Sequence, residues 1–439
     1  MSILLSSQQS RWPITGLGER GTSRISGLYG LAHFGKSLFW YASEILFAFF
    51  LTEVAGLSGR AMGWVFAGGL LASVAIDMGL AWLLRQGLAD VRFAAQLQLL
   101  GAVVSAAALG ALFLSPYVPQ EWRLAYAATI MLGFRFAYAF YDLPQNVMLS
   151  LTTRSSRGRS NLAALRLFFS GLATLAVTAV IGPLVADAEL SVLADRFLAL
   201  AGLIALLSLT TAFCLQRGLR RHSMPLASAA QKLEVRCLRY LPQPIPVLLT
   251  ITFVVSLTTS AFARLEPYFA AYVLESTILA GAMVTAMAVG MTVSQPAWAW
   301  LALRMPWSRL LIVAAALLLF AAIAFLLCAR QAAWPALAAA AVFGAASGGI
   351  GTVMWAAYGN VVALSLPASA GGPAFALFTG LSKIGLALGA VMLGYLLQSI
   401  DYRDQDHLVI LAVMTLWPAL GGLICALLAG VSGWRSKPI

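Results

Sequence analysis

Nine ionisable side chains interrupt long apolar stretches of this sequence: the cations Lys36, Arg135, Arg166, Arg264 and Lys383, and the acids Glu44, Asp77, Asp142 and Glu266. An ionised group deep in hydrocarbon costs at least ~2.5–3.5 kcal/mol on insertion scales, so these groups are expected to face a wet cavity or one another. Their types and spacing suit the binding of a polar solute and of a coupling ion. Lys36, Trp40 and Glu44 stand at i, i+4 and i+8, which offers a cation, an indole face and a carboxylate along one helical wall. The simpler reading of the trio is a Lys–Glu pair with Trp40 as packing. The Arg166 guanidinium suits paired hydroxyls, a carboxylate or a phosphate, each held bidentately. Arg135 lies seven residues before Asp142 on nearly the same face, either as its charge partner or as a second anion-binding group. Asp77 is the one acid of its stretch, a candidate coupling carboxylate or a structural partner for Lys383 or Lys36. Arg264 and Glu266 are two residues apart and face different directions. His33 reads as a packing or interfacial residue.

Other chemistries find little support. The four cysteines, Cys214, Cys237, Cys328 and Cys425, have neither C-x-x-C nor metal-ligand spacing, so no metal site and no cofactor are expected. There is no nucleotide loop and no Ser/His/Asp constellation, which argues against an enzyme.

The elements that must position these residues are membrane helices. Of 439 residues 61% are hydrophobic and 10% charged, with a mean hydropathy of +0.87, far from the roughly one-quarter charged composition of soluble proteins. Crossing ~30 Å of hydrocarbon at ~1.5 Å per residue takes about twenty apolar residues. Twelve runs meet that length: about 27–52, 61–84, 93–115, 123–151, 161–185, 196–215, 244–273, 278–303, 310–329, 334–364, 373–398 and 408–433. The long polar segment RGLRRHSMPLASAAQKLEVRCLRYLPQP parts the sixth from the seventh. The expected organisation is an N-terminal segment 1–25, six helices over 26–215, a basic linker 216–243 with a surface helix over Ser228–Tyr240, six helices over 244–434 and a tail 435–439.

Placing the N-terminus in the cytoplasm puts eighteen of the 28 Lys and Arg on that side and only Arg60, Arg123, Arg196, Arg330 and Arg403 opposite. That bias predicts both termini inside. It also explains the formal charge of +12 without a nucleic-acid partner. The N-terminus is polar through Arg24, with no cleavable-signal pattern, so the first helix is expected to direct insertion into the inner membrane. The loop residues Arg154, Arg157 and Arg159 are topological first, with a cytoplasmic gate against Asp90 as a further possibility. The third, sixth, ninth and twelfth runs carry none of the nine charges. A two-bundle transporter places every third helix away from the central cavity in this way. Gly344/Gly348 and Gly385/Gly389 match small-xxx-small helix packing.

Several motifs extend this reading: Tyr29-Gly30, Phe34-Gly35-Lys36, Thr52-Glu53-Val54-x-Gly56-Leu57-Ser58, Asp142-Leu143-Pro144 followed by a basic loop and Arg166, and Lys383 within LSKIG. In their order along the chain they resemble the melibiose permease-like glycoside–pentoside–hexuronide cation symporter family of the major facilitator superfamily. The resemblance implies an all-α polytopic protein with twelve transmembrane helices in two six-helix bundles. It implies a sugar held by Lys36, Asp142, Arg166, Thr379 and Lys383, and a monovalent cation bound between the second and fourth helices at Asp77.

Departures from the family matter equally. Ser37 stands where the family has an acid, and Asn146 where it has an aromatic. The second helix presents Ser73 and a single Asp77 in place of two aspartates one turn apart. A sodium cage needs several oxygens, whereas a proton needs one buried carboxylate, so a proton is favoured over sodium, with Asp142 as the only further carboxylate nearby. The function expected is proton-coupled symport of a sugar-like solute by a monomer in the lipid bilayer. The alternative cargo on the same fold is an anionic, zwitterionic or amphipathic molecule such as a lysolipid, peptide or siderophore, with Arg264 and Glu266 as the source of altered specificity.

Overall fold

The computed structural model describes residues 19–47, 50–153, 155–185, 190–220, 244–272, 277–329, 333–399 and 407–433. The expected surface helix over Ser228–Tyr240, most of the basic linker, and Arg154 lie outside them. The described residues form twelve helical segments and no strands.

Helix α1 spans Glu19–Tyr41 and runs into a π-helical turn at Ala42–Leu46, and a second π-helical turn lies at Phe50–Val54. It is followed by α2 (Gly59–Leu83), α3 (Val91–Leu112), α4 (Arg123–Leu151), α5 (Ser156–Val185) and α6 (Leu190–Arg220). The second half holds α7 (Ile245–Tyr272), α8 in two pieces (Thr277–Val293 and Gln295–Ala302), α9 (Trp307–Cys328), α10 (Ala333–Ser365), α11 (Gly371–Ser399) and α12 (His407–Gly433). Ten of these are long and apolar enough to cross a membrane by length and composition. The other two are α1, interrupted by its wide turns, and α8, divided at Ser294 just before Pro296. Helix α6 begins six residues before the sixth apolar run, because backbone hydrogen bonding carries a helix beyond the hydrocarbon layer into polar sequence.

Local sequence sets the ends and bends. Ser58 and Asp90 cap α2 and α3 by accepting from the amides of Ala61 (3.2 Å) and Arg92 (2.7 Å). Pro144 sits inside α4 and supplies no amide hydrogen for the Phe140 carbonyl one turn earlier. Gly101 of α3 packs against that same stretch, since a Cβ there would lie 2.3 Å from the Phe140 backbone.

Packing repeats between the halves. In the first, α1 touches α5 and α6, α2 touches α4, and α3 touches α4 and α6. In the second, α7 touches α11 and α12, α8 touches α10, and α9 touches α10 and α12. Helices α2 and α11, and α5 with α8 and α10, join the two bundles. Small residues permit the close approaches: a Cβ on Gly344 would lie 1.9 Å from the Met287 carbonyl, and one on Gly389 2.7 Å from the Leu257 carbonyl. Exposed Leu206, Phe213, Phe320 and Leu327 on α6 and α9 present an apolar outer surface.

The bundles are tied together at the end that carries the 84–90 and 365–370 connections. There Leu88 meets Gly372, Leu149 covers Gly359, and Arg159 donates to Asn360 Oδ1 at 2.6 and 3.0 Å. Asp90, expected as a gate partner for the basic loop, instead caps α3. A carboxylate one residue before a helix satisfies that helix's own free amides first.

Candidate functional site

A cavity of about 290 Å³ is lined by α1, α4, α5, α7, α10 and α11. Among the described residues α2, α3, α6, α8, α9 and α12 contribute none of its lining. Lys36 and Trp40 of α1, Asp142 of α4, Arg166 of α5, and Thr379 and Lys383 of α11 all line it.

Its base is one hydrogen-bonded network. Lys36 Nζ donates to Asp142 Oδ1 at 2.6 Å and to Asn146 Oδ1 at 3.2 Å, and Asn146 Nδ2 donates to Asp142 Oδ2 at 3.0 Å. Arg166 Nη1 donates to Asn146 Oδ1 at 2.8 Å and to the Tyr29 hydroxyl at 3.4 Å. Tyr29 in turn donates to the Gln145 carbonyl at 3.0 Å. Asn146 therefore stands beneath the cavity, bridging two cations. The Arg166 guanidinium also lies over the Trp355 ring, 3.6 Å from its centroid, and so reaches from one bundle to the other.

A second ion pair crosses the bundles. Lys383 Nζ donates to Asp77 Oδ2 at 2.5 Å, and both side chains are buried. Ser73 gives its hydroxyl hydrogen to the Leu70 carbonyl of its own helix at 2.9 Å. The Asp77 carboxylate is thus engaged by an internal cation from α11, which decides between the two structural partners that the sequence leaves open.

The α1 staircase does not hold. Lys36 and Trp40 face the cavity, but Glu44 pairs with Arg135 and is absent from the lining. Glu44 lies in the π turn Ala42–Leu46, whose i to i+5 bonding displaces the register that an α-helix would keep. Arg135 is accordingly neither the partner of Asp142 nor a lining group, and its guanidinium carbon sits 5.1 Å from the Trp40 ring centroid. Arg264 also stands outside the lining and donates to the Leu386 carbonyl at 3.1 Å. The side chain of Glu266 is not described. His33 lines the cavity wall, stacked on Tyr29 with ring centroids 6.3 Å apart.

Residues that the sequence did not single out complete the wall. Trp355, Ser347 and a stripe at Thr252, Ser256 and Thr259 come from the C-terminal bundle, and Ser170 and Tyr41 from the N-terminal bundle. The spacing of Thr252, Ser256 and Thr259 is a signal in plain view, since i, i+4 and i+7 fall on one helical face.

Twelve helices in two similarly packed bundles around a central cavity that holds buried charges define a major facilitator superfamily transporter fold. Solved structures agree on that fold. The proton:xylose symporter XylE aligns over 92% of this chain and 94% of its own, with a TM-score of 0.65 and 14% identity. A bacterial homologue of the iron transporter ferroportin in an outward-facing state aligns over 95% and 100%, with a TM-score of 0.70 and 13% identity. FucP in its outward conformation gives 0.63 and 12%, over 94% and 99%. The chain belongs to the MFS/sugar transport protein family, whose model matches residues 28–434. Among named relatives, it is 25% identical over 157 residues to the "Putative glycoside/cation symporter YagG" of Escherichia coli (strain K12), covering 36% of this chain and 34% of that protein. It is 25% identical over 154 residues to the "Uncharacterized symporter YjmB" of Bacillus subtilis (strain 168), covering 35% and 33%. The chain thus spans about a third of the length of the curated relatives it matches.

Proposed function

We propose that this chain is a secondary active transporter that carries a sugar-like, polyhydroxylated solute together with a proton by alternating access. It acts as a monomer in the inner membrane with both termini cytoplasmic. The charge bias of the loops supports that orientation. The tied end of the molecule is then cytoplasmic and the cavity serves the outer side.

The observation that carries the coupling reading is the Asp77–Lys383 pair, a bond between the bundles beside the cavity. Sodium bound at Asp77 would have to displace an ammonium and collect further oxygens where α2 offers one carboxylate. A proton only needs to transfer to Asp77. Neutral Asp77 releases Lys383, loosens the contact between α2 and α11, and lets the bundles rock around the solute. Lys36, Asp142 and Arg166 hold the solute from the N-terminal side, with Thr379 and Lys383 opposite.

Asp77→Asn should abolish uphill accumulation in proteoliposomes while leaving solute binding and counterflow largely intact. The driving ion is tested by imposing a pH gradient or a sodium gradient on the wild type. Accumulation driven by sodium, with no response to pH, rules out the proton.

A second reading, an anionic solute, rests on the charge arrangement. Glu44, Asp77 and Asp142 are each engaged by a cation, whereas Arg166 and Arg264 hold neutral partners among the described residues. Competition of a sugar acid against its parent sugar separates the two readings.

A further inference from the structure

Two hydroxyls of the cavity's C-terminal wall, those of Thr252 and Ser347, are spent differently from those of Thr259 and Thr379 beside them, which bond their own helices. Membrane-helix threonines ordinarily return their hydroxyl hydrogen to a carbonyl one turn earlier. On α7, Thr250, Thr258 and Thr259 do this, at 3.0, 2.9 and 2.7 Å. Thr252 on the same helix does not, and its buried hydroxyl has no hydrogen-bond partner among the described residues. The same is true of Ser347 on α10. Unpartnered buried hydroxyls also occur at Ser105, Ser160 and Ser260, but none of those residues lines the cavity, whereas Thr252 and Ser347 both do.

A hydroxyl shielded from water and left without a partner is unfavourable, and on a helix the remedy of bonding to its own backbone is always at hand. Two groups that forgo it face one cavity, from two helices of one bundle. Because each side chain forms part of the cavity wall, rotation about a single χ1 bond brings its oxygen to a bound molecule. A hydroxyl both donates and accepts, and so matches another hydroxyl better than it matches a fixed charge.

We infer that Thr252 and Ser347 are solute-binding residues of the C-terminal bundle that take hydroxyl groups of a polyhydroxylated solute, opposite the charged Lys36, Asp142 and Arg166. This deepens the sugar reading above and rests on it. It extends the site to α7 and α10, and it divides recognition between a charged wall that orients the solute and a hydroxyl wall that counts its OH groups.

The test uses the full-length protein in detergent and a panel of D-hexoses and D-pentoses with their mono-deoxy analogues. Binding is followed by intrinsic tryptophan fluorescence, since Trp40 and Trp355 line the cavity. The panel is titrated into wild type, Thr252→Val and Ser347→Ala. Each variant should weaken the parent sugar about fivefold, as expected for one neutral hydrogen bond. One deoxy analogue per variant should bind wild type and variant alike, because the lost hydroxyl and the lost partner belong to the same bond. Thr252→Ser, which keeps the hydroxyl, should restore the parent affinity and so separate bonding from packing. Parent-to-deoxy ratios that are the same in wild type and both variants overturn the inference and leave the sugar reading standing. A wild type that binds no member of the panel overturns the sugar reading, and this inference with it.

Discussion

The two walls of the cavity are built from different materials. The N-terminal wall is charged and tightly bonded: Lys36, Asp142, Asn146, Arg166 and Tyr29 form one network in which almost every group already holds a partner. The C-terminal wall is neutral apart from Lys383, and its hydroxyls bond their own backbone at Thr259 and Thr379, each other at Ser256 and Ser382, or no partner among the described residues at Thr252 and Ser347. Charges deep in a membrane must be paired before any solute arrives, so a charged wall is necessarily preorganised. A hydroxyl costs less than a charge to leave without a fixed partner, and it can turn to what it meets. A site with one wall of each kind fixes where the solute sits on one side and discriminates among its substituents on the other.

The largest effect is expected behind the charged wall, at the ion pair of the N-terminal bundle that lies outside the cavity lining. Arg135 is 1% exposed, and two of its three guanidinium nitrogens have no hydrogen-bond partner, so Glu44 is its one compensating charge among the described residues. Glu44→Gln leaves a buried cation uncompensated, a loss of ~3–5 kcal/mol for a buried pair deprived of one member. Thermal unfolding in detergent should show it as a large drop in midpoint. Glu44→Gln/Arg135→Met should recover most of that drop, because it removes the orphaned charge. A single variant as stable as wild type would mean that the N-terminal charges are not locked together.

Next in size is the link from the charged wall to the opposite bundle. Arg166→Lys keeps the charge but loses the planar face that stacks on Trp355 and the fork that reaches Asn146 and Tyr29. Solute binding should weaken about tenfold, near 1.4 kcal/mol. Trp355→Leu should reproduce part of that loss, and the double variant should lose less than the sum of the two. Strict additivity would detach Trp355 from the site.

The contrast also explains what the sequence discloses. Charges in hydrocarbon stand out, so Lys36, Asp77, Asp142, Arg166 and Lys383 are visible as a set, and apolar run lengths alone mark out the helices. Who pairs with whom is not visible. Simple α-helical spacing puts Glu44 on the Lys36 face, and the π turn at Ala42–Leu46 that carries it to Arg135 leaves no mark in residue types. Asn146 looks like a lost aromatic, although it serves as the bridge between Lys36 and Arg166. The indole at Trp355 and the hydroxyls at Thr252 and Ser347 escape sequence reasoning for a related reason. Aromatics and hydroxyls are common in membrane helices, and most serve packing or bond their own backbone, so spacing puts Thr252 on one face with Ser256 and Thr259 but does not show which hydroxyl is left without a partner.

The smallest effect is expected where the neutral wall bonds to itself. Ser256 of α7 and Ser382 of α11 hold each other at 2.7 Å, and both line the cavity. Ser256→Ala removes one member, but the Ser382 hydroxyl can then turn to a carbonyl of its own helix, so nothing is left stranded. Stability should change by less than about 0.5 kcal/mol, as for a substitution that strands no group. Solute affinity should fall only two- to threefold, roughly 0.5 kcal/mol, the low end of a neutral hydrogen bond. Ser256→Ala/Ser382→Ala should scarcely exceed either single change, because the two hydroxyls act as one exchangeable pair. A loss above tenfold from Ser256→Ala would show that this hydroxyl is held as firmly in place as the charges facing it. The neutral wall would then be preorganised too, and the division of labour between the two bundles would fall.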